Sequence, residues 1–378
     1  HIAVVVTPDD YPLITQYLAA RQTPTSWQFT LAQKAFAHTA SYDVAISNYL
    51  YRLNADGFPN YLTSQSRKQY DLRYGENPHQ RGALYVDKTG AEHSLACAEL
   101  LQGKQLSYNN LLDADAAWAA VRTFPEYDQL CVIVKHGNPC GIASRDTQVQ
   151  AYLRAYETDP VSSYGGILAF NHCLQAETVA AMFEKQFMEV IIAPTITDEA
   201  RKLLKTKENI RVLLTGELQQ PRSAQLDVRA IDGGLLVQDR DDMLINETSL
   251  QTVTTYKPDA QQMQDLMFAW RAVKHIKSNA IVLVKDEATI GIGAGQTSRV
   301  MSARIALWQA ESTGLTTEGA VMASDAFIPF ADSIELLQHQ GIKAVIQPGG
   351  SIRDEGMIRI ANELGMVMVF TGVRHFKH

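Results

Sequence analysis

The feature that most constrains this chain is a set of short apolar runs that stop on tight turns, with helical periods between them. Cys131–Val134, Ile167–Phe170, Glu189–Ala193, Ala280–Val284, Ala344–Gln347 and Met366–Phe370 are each four or five residues long. Such apolar runs, bounded by turn residues and mostly rich in β-branched side chains, read as buried strands. Helical patterns fall between them, over Leu112–Arg122, through Tyr152–Tyr156, over Thr178–Phe187, from Asp259 to about Lys274, up to about Ala310, and over Asp332–His339. Strands alternating with helices predict an α/β fold with parallel or mixed sheets. The two halves share this rhythm without a short-period repeat, which leaves a duplicated α/β fold open.

A chain of 378 residues, 46% hydrophobic and 20% charged, can bury large cores. At roughly 150 residues per domain it predicts two or three domains. A net charge of -7 and a pI near 5.8 argue against a broad nucleic-acid or membrane surface, so an anionic substrate must meet local Arg and Lys. Four cysteines (Cys97, Cys131, Cys140, Cys173) without a CxxC pair suit a reducing, cytoplasmic setting. No apolar run approaches the roughly 20 residues that span a bilayer. The chain opens at His1, without Met, directly into an apparent strand Ile2–Val6, and so reads as a piece of something longer. Thr7-Pro8 predicts a helix start. A second helix is expected from Thr25 or Ser26 to about Leu50, followed by a polar linker over Asn54–Gln69 that places the main boundary near residue 70.

The most chemical stretch is Val132-Ile133-Val134-Lys135-His136-Gly137-Asn138-Pro139-Cys140-Gly141. It reads as a buried strand that ends on a Lys-His pair before a Gly-Asn-Pro turn. Ligand crevices of open α/β sheets form at strand ends, and a proton acceptor beside a cation at that point suggests a site; a surface pair closing a strand is the plain alternative. Beside the Lys135 cation, the His136 ring reads as a candidate base. Gly291-x-Gly293-x-Gly295 could cradle a phosphate on backbone N–H groups, but it lacks the GxGxxG spacing of a dinucleotide turn, and a tight strand-to-helix turn beside a ligand is the favoured reading. Asn138-Pro139-Cys140 resembles half of the Pro-Cys-x-x-Cys signature of zinc nucleobase deaminases. Its second cysteine would fall at Ala143 and no HxE accompanies it, so a zinc site, which needs three protein ligands, is not expected. Cys140 reads as a buried, inert thiol.

Several stretches match one family in order: Arg73-Tyr74-Gly75-Glu76-Asn77-Pro78-His79-Gln80, Val134–Gly141, Asp159-Pro160-Val161-Ser162-Ser163-Tyr164-Gly165-Gly166, Lys277-Ser278-Asn279, Gly291–Arg299, Ser324–Phe330, Gln347–Asp354 and Arg374-His375-Phe376. Over about residues 71–378 the chain resembles the formyltransferase part of the bacterial bifunctional AICAR transformylase/IMP cyclohydrolases of purine biosynthesis. Residues 1–70 resemble the tail and connecting helices of the cyclohydrolase half. Most of that half is absent, so the resemblance implies no cyclohydrolase activity from this chain.

The resemblance implies two tandem cytidine-deaminase-like α/β subdomains without zinc, at about 71–225 and 226–378, preceded by a short strand-helix segment. It implies a homodimer and transfer of a formyl group from 10-formyltetrahydrofolate to the 5-amino group of AICAR, the aminoimidazole carboxamide ribotide. That amine is a poor nucleophile because its lone pair is delocalised, so attack needs proton removal and held geometry. His136 is expected as general base and Lys135 as the cation that stabilises the oxyanion and helps N10 of the folate leave. Asn279 is expected to hydrogen-bond the substrate or the tetrahedral intermediate. Carried over residue by residue, Arg73, Tyr74, Gly165, Glu189, Arg299, Phe327 and Arg374 look like AICAR contacts, arginine matching phosphate through its planar fork. Tyr164 and Phe327 could sandwich the flat imidazole. Val300, Asp332, Ser351 and Ile352 look like folate-side positions, and Ser278 and Asp325 like the neighbourhood of a potassium ion. The chain departs from the family's common pattern at Ile328 and Ala331, where Phe and Arg are frequent. A zinc deaminase and a non-catalytic nucleotide-binding module are the competing classes; metal analysis separates the first, and an assay with both substrates the second.

Overall fold

The computed structural model describes residues 2–21, 24–54, 57–87, 94–217, 226–328 and 331–378, apart from the side chains of 54 and 331–333. The chain divides into two compact units, His1–Asp71 with Leu84–Gly90, and Leu72–Ala83 with Ala91–His378.

In the first unit, α1 (Tyr11–Ala19) and α2 (Thr25–Asn54) are held by Lys34 on Asp10 at 2.5 Å and by the rings of Tyr17 and Trp27, 4.9 Å apart. Pro8 opens a single 3-10 turn capped by the Thr7 hydroxyl, as expected. The expected strand Ile2–Val6 does not form: β-branched residues favour extended backbone, but a strand needs a hydrogen-bonded neighbour, and among the described residues none pairs with it. The linker ends early, because Ser66 already begins β1 (Ser66–Leu72), which pairs with β2 (Gly82–Asp87).

The second unit is built twice from one plan. The first copy runs β3 (Glu99–Gln102), α3 (Tyr108–Val121), β4 (Gln129–Lys135), β5 (Asn138–Arg145), α4 (Gln148–Thr158), α5 (Pro160–Ser163), β6 (Gly166–Phe170), α6 (Ala176–Lys185), β7 (Met188–Ala193), α7 (Asp198–Leu204) and β8 (Arg211–Leu214). After a separate hairpin, β9 (Leu226–Ile231) and β10 (Gly234–Asp239), the second runs β11 (Gln251–Thr252), α8 (Ala260–Val273), β12 (Ile281–Val284), β13 (Thr289–Gly293), α9 (Arg299–Ser312), β14 (Val321–Ser324), α10 (Ala331–His339), β15 (Ala344–Gln347), α11 (Asp354–Glu363) and β16 (Val367–Phe370). The sheets have the same strand order, β3-β8-β7-β6-β4-β5 and β11-β16-β15-β14-β12-β13, each mixed. The tandem α/β subdomains are therefore present. The boundary expected at residue 225 falls at the edge of residues 218–225, which lie outside the described residues.

The duplication extends to single residues. Helix α3 starts with a capping box of Ser107 and Asn110, and α8 with one of Asp259 and Gln262. Trp118 and Trp270 follow at equal distances and are both buried. One apolar core joins α3, α8 and the facing sides of both sheets, with Phe124 and Phe268 in ring contact at 5.0 Å. Two further cores lie under α4, α6 and α7, and under α9, α10 and α11. The edge strands β5 and β13 meet through a bridge between Ala143 and Ala288, where the Thr289 hydroxyl takes the Ile142 N–H at 3.0 Å.

Gly291 and Gly293 face α9 closely: a Cβ would sit 2.0 Å from the Ala306 carbonyl oxygen and 1.9 Å from that of Ser302. Gly141 meets the Ala155 carbonyl oxygen at 1.9 Å in the other copy. The glycines therefore serve strand-to-helix packing, and of the proposed phosphate cradle only Gly295, with φ +66°, lies in an open turn.

Candidate active site

The stretch around His136 is a hairpin tip. Lys135 pairs with Asn138 across β4 and β5, so the turn is His136-Gly137, with φ of 53° and 73°. A two-residue hairpin loop with positive φ at both positions has the I′ character that matches strand twist. This corrects the expected Gly-Asn-Pro turn: Asn138 and Pro139 already belong to β5. Proline is tolerated there because β5 ends its sheet, and an edge strand leaves N–H groups unpaired. The strand-end argument is corrected too. β4 runs antiparallel to both neighbours, so Lys135 lies beside the amino ends of β6, β7 and β8, not beside their carboxyl ends.

Along that edge, the Lys135 ammonium donates to the Tyr164 carbonyl at 2.8 Å. Gly165 takes a left-handed φ of 74° and donates its N–H to the Phe187 carbonyl at 2.8 Å. The exposed Tyr164 ring lies 5.8 Å from that of Phe187, and Glu189 pairs with Arg211 at 2.8 Å. A cleft of about 760 Å³ opens beyond Phe187, lined among others by Phe183, Lys185, Lys205 and Lys207, but neither Lys135 nor His136 borders it. The weight therefore rests on the hairpin, where acid–base groups converge.

His136 is exposed, and its backbone N–H donates to Asp113 of α3 at 3.1 Å, while that of Gly137 donates to the other Asp113 oxygen at 2.6 Å. One turn earlier on α3, Asn109 donates to the Glu76 carbonyl at 3.3 Å, which ties the Arg73–Gln80 segment to the same helix face. Arg73 is exposed, with its guanidinium 5.6 Å from the Tyr74 ring centre. Across from the hairpin, the Lys277 N–H donates to the Asn138 side-chain oxygen at 3.0 Å, linking the tip to Lys277-Ser278-Asn279.

That segment leads into a second, buried cluster. Arg299 is ion-paired with the fully buried Asp325 and donates to the Asn279 side-chain oxygen at 2.8 Å and to the Ser324 hydroxyl at 3.1 Å. The Asn279 amide donates to the Gln296 carbonyl at 2.9 Å, and Ser278 donates to Asp325 at 2.5 Å. The C-terminal segment closes over this group, His375 donating its N–H to the Asp325 carbonyl and Ser278 to that of Lys377. Arg374 beside it is exposed and stacks on Phe376 at 4.5 Å. Arg299 thus holds both Asn279 and Asp325, and the cluster joins the hairpin through the Lys277 N–H to Asn138. Each Asp325 side-chain oxygen has a partner, one the Ser278 hydroxyl and the other the Arg299 guanidinium. Among the described residues no three His, Cys, Asp or Glu side chains gather as metal ligands. Ala143, at the position of the second signature cysteine, is buried against β13. Cys140 is buried, and burial pushes its thiol up to about 12, so it stays protonated at neutral pH.

Of the remaining positions, Phe327 is partly exposed and follows Ser324-Asp325 directly, while Ile328 is buried in the core under α9 to α11. Val300 lies in the first turn of α9. Ser351 and Ile352 lie between β15 and α11, and Ile352 is fully exposed. No hydrogen bond among the described residues ties them to the hairpin. Asp332 lies on α10 with its side chain outside the described ones, and Pro329 and Phe330 lie outside the described residues.

Against this geometry stands one comparison with known proteins. The model of the AICARFT/IMPCHase bienzyme family matches residues 1–309. The chain belongs to that family. Its enzymes serve purine biosynthesis, with a transformylase and a cyclohydrolase activity. The match takes in the hairpin, the Arg73–Gln80 segment, Tyr164-Gly165, Asn279 and Arg299; Phe327, Asp332, Ser351, Ile352 and Arg374 lie beyond it. Sequence reasoning missed Asp113, Asn138 and Phe187. Asp113 carried a signal, since it stands three residues after the capping box, as Asp265 does in the second copy.

Proposed function

We propose that this chain is the formyl-transfer catalyst of its family, moving a formyl group from 10-formyltetrahydrofolate to the 5-amino group of AICAR. The observation that carries this reading is the hairpin tip, which holds an exposed imidazole next to an ammonium tethered at the sheet edge. His136 removes the proton from the attacking amine, and the new C–N bond forms at the formyl carbon. Lys135 stabilises the oxyanion and supports departure of N10, which takes up a proton as the C–N10 bond breaks. Arg73, Tyr74, Tyr164, Gly165, Glu189, Phe327 and Arg374 are the proposed AICAR neighbours, with Arg73 and Arg374 the exposed guanidiniums for its phosphate. Asn279 is proposed to hydrogen-bond the substrate or the tetrahedral intermediate, and Arg299, which donates to it at 2.8 Å, to contact AICAR. Val300, Asp332, Ser351 and Ile352 are proposed for the folate side.

A homodimer belongs to the same proposal. The exposed Val228, Ile231, Leu235 and Leu236 of the β9–β10 hairpin support it as an apolar surface in need of cover, and light scattering tests it. No helix among the described residues is long and apolar enough to cross a membrane, and a cytoplasmic setting is proposed with the rest.

The deciding experiment is His136→Ala assayed with both substrates. Loss of a general base costs on the order of 10²–10⁴-fold in rate. A variant that folds, binds AICAR and keeps formyl transfer near the wild-type rate refutes the assignment; a wild-type chain that binds AICAR without turnover refutes the activity.

A further inference from the structure

The two copies hold their β-hairpins in the same way, but only one hairpin carries an imidazole. In the first copy, Asp113 of α3 accepts from the backbone N–H groups of His136 and Gly137 at 3.1 and 2.6 Å. In the second, Asp265 of α8 accepts from those of Asp286 and Glu287 at 3.0 and 2.7 Å. Asp286 and Glu287, both at φ 51°, stand where His136 and Gly137 stand in the first copy. Lys285 donates to the Glu318 carbonyl at 2.7 Å as Lys135 does to that of Tyr164. The chemistry differs where the backbone does not.

A left-handed backbone at a residue with a Cβ costs about 1–2 kcal/mol and persists only where its surroundings hold it. Among the described residues no side chain hydrogen-bonds the His136 imidazole, so the direction of its Cα–Cβ bond follows from the turn. The turn follows from Asp113, whose two oxygens bind its two N–H groups from a helix packed on β4. We infer that Asp113 is a positioning residue for His136, acting through the backbone of the hairpin tip and touching no substrate. This rests on the formyl-transfer reading above.

The repeat supplies the control. In Asp113→Asn the amide offers one oxygen where two N–H groups point, and its NH2 opposes the other, so the tip loosens. A misplacement of about 1 Å can cost on the order of 10²-fold in rate. Asp113→Asn should lower kcat about 10- to 100-fold while KM for AICAR and for formyl-folate stays within about twofold. Asp265→Asn, which loosens the tip without an imidazole, should keep kcat within about twofold. Hydrogen-exchange mass spectrometry reads the cap itself. The peptide over His136-Gly137 should exchange faster in Asp113→Asn, and the one over Asp286-Glu287 faster in Asp265→Asn.

Faster exchange at His136 with kcat unchanged overturns the positioning role. Equal loss of kcat in both variants also overturns it, as damage to the fold. If the wild-type chain shows no formyl transfer, the parent reading has failed and exchange alone judges the cap: unchanged exchange at His136-Gly137 in Asp113→Asn overturns it. Should Asp113→Asn not fold, Asp113→Glu, which keeps the charge and displaces it by one methylene, is judged by the same two readouts.

Discussion

Gly291→Ala tests whether the glycines before α9 serve packing or a phosphate. The added Cβ would lie 2.0 Å from the Ala306 carbonyl oxygen and 2.9 Å from its carbon. Real contacts of that kind lie beyond about 3 Å, so β13 and α9 must part by about 1 Å along a seam where side chains are closely packed. Overpacking of this sort costs about 1–3 kcal/mol, and here the obstacle is helix backbone that cannot rotate away, which favours the upper end. For a cooperative unit of this size a kilocalorie shifts the melting midpoint by about 2 °C, so a loss of a few degrees is expected. The assay pairs thermal unfolding with the KM for AICAR. Gly291 faces α9 about two turns from Arg299, so the packing argument expects lower stability with KM nearly unchanged. An unchanged midpoint with a raised KM would refute it and restore the phosphate cradle.

Two further perturbations discriminate as sharply. Arg299→Met strands the fully buried Asp325 without its cation, which costs about 3–5 kcal/mol; a residue serving only to bind phosphate would instead raise KM at unchanged stability. His275 is held well below its usual range by burial, with the charges of Lys377 and Lys274 acting the same way, and its ring contacts the Thr123 hydroxyl at 3.0 Å. The folded state keeps this imidazole neutral while the unfolded chain takes up a proton below about pH 6.5, so stability falls on acidification. At pH 5.5 the loss relative to neutral pH is on the order of 1 kcal/mol, read as a denaturant midpoint, and His275→Gln should remove that part of the slope.

The strands and their helices were legible because short apolar runs and the helical periods between them are local signals. The direction of β4 was not. Pro139 draws a turn toward itself in any local reading, and only the sheet order shows that β5 is an edge where proline fits. A His-Gly pair, unlike Asn-Gly, is also a weak turn signal. The duplication was visible in Ala117-Trp118-x-Ala120-Val121 and Ala269-Trp270-x-Ala272-Val273, but at a separation of 152 residues it escapes any short window. Lys135 and His136 stood out as chemistry-bearing residues. The task of Asp113 could not, because a carboxylate on a helix acquires a role only from the loop that packs against it. Ile2–Val6 shows the converse, strand propensity without a partner.

The core shared by α3 and α8 has a consequence for how this molecule comes apart. Trp118, Phe124, Phe268 and Trp270 belong to one apolar cluster fed by both copies, and β5 and β13 cover part of each other's outer edges. Cutting the chain between the copies would leave each with half of that cluster wet and a strand open to pairing with strangers. The copies therefore form one cooperative unit, and within it local opening is easiest in what lies outside the apolar cores, such as the β9–β10 hairpin and the terminal segment over Ser278. A hairpin tip braced by the neighbouring copy borrows its rigidity from the unfolding free energy of the pair.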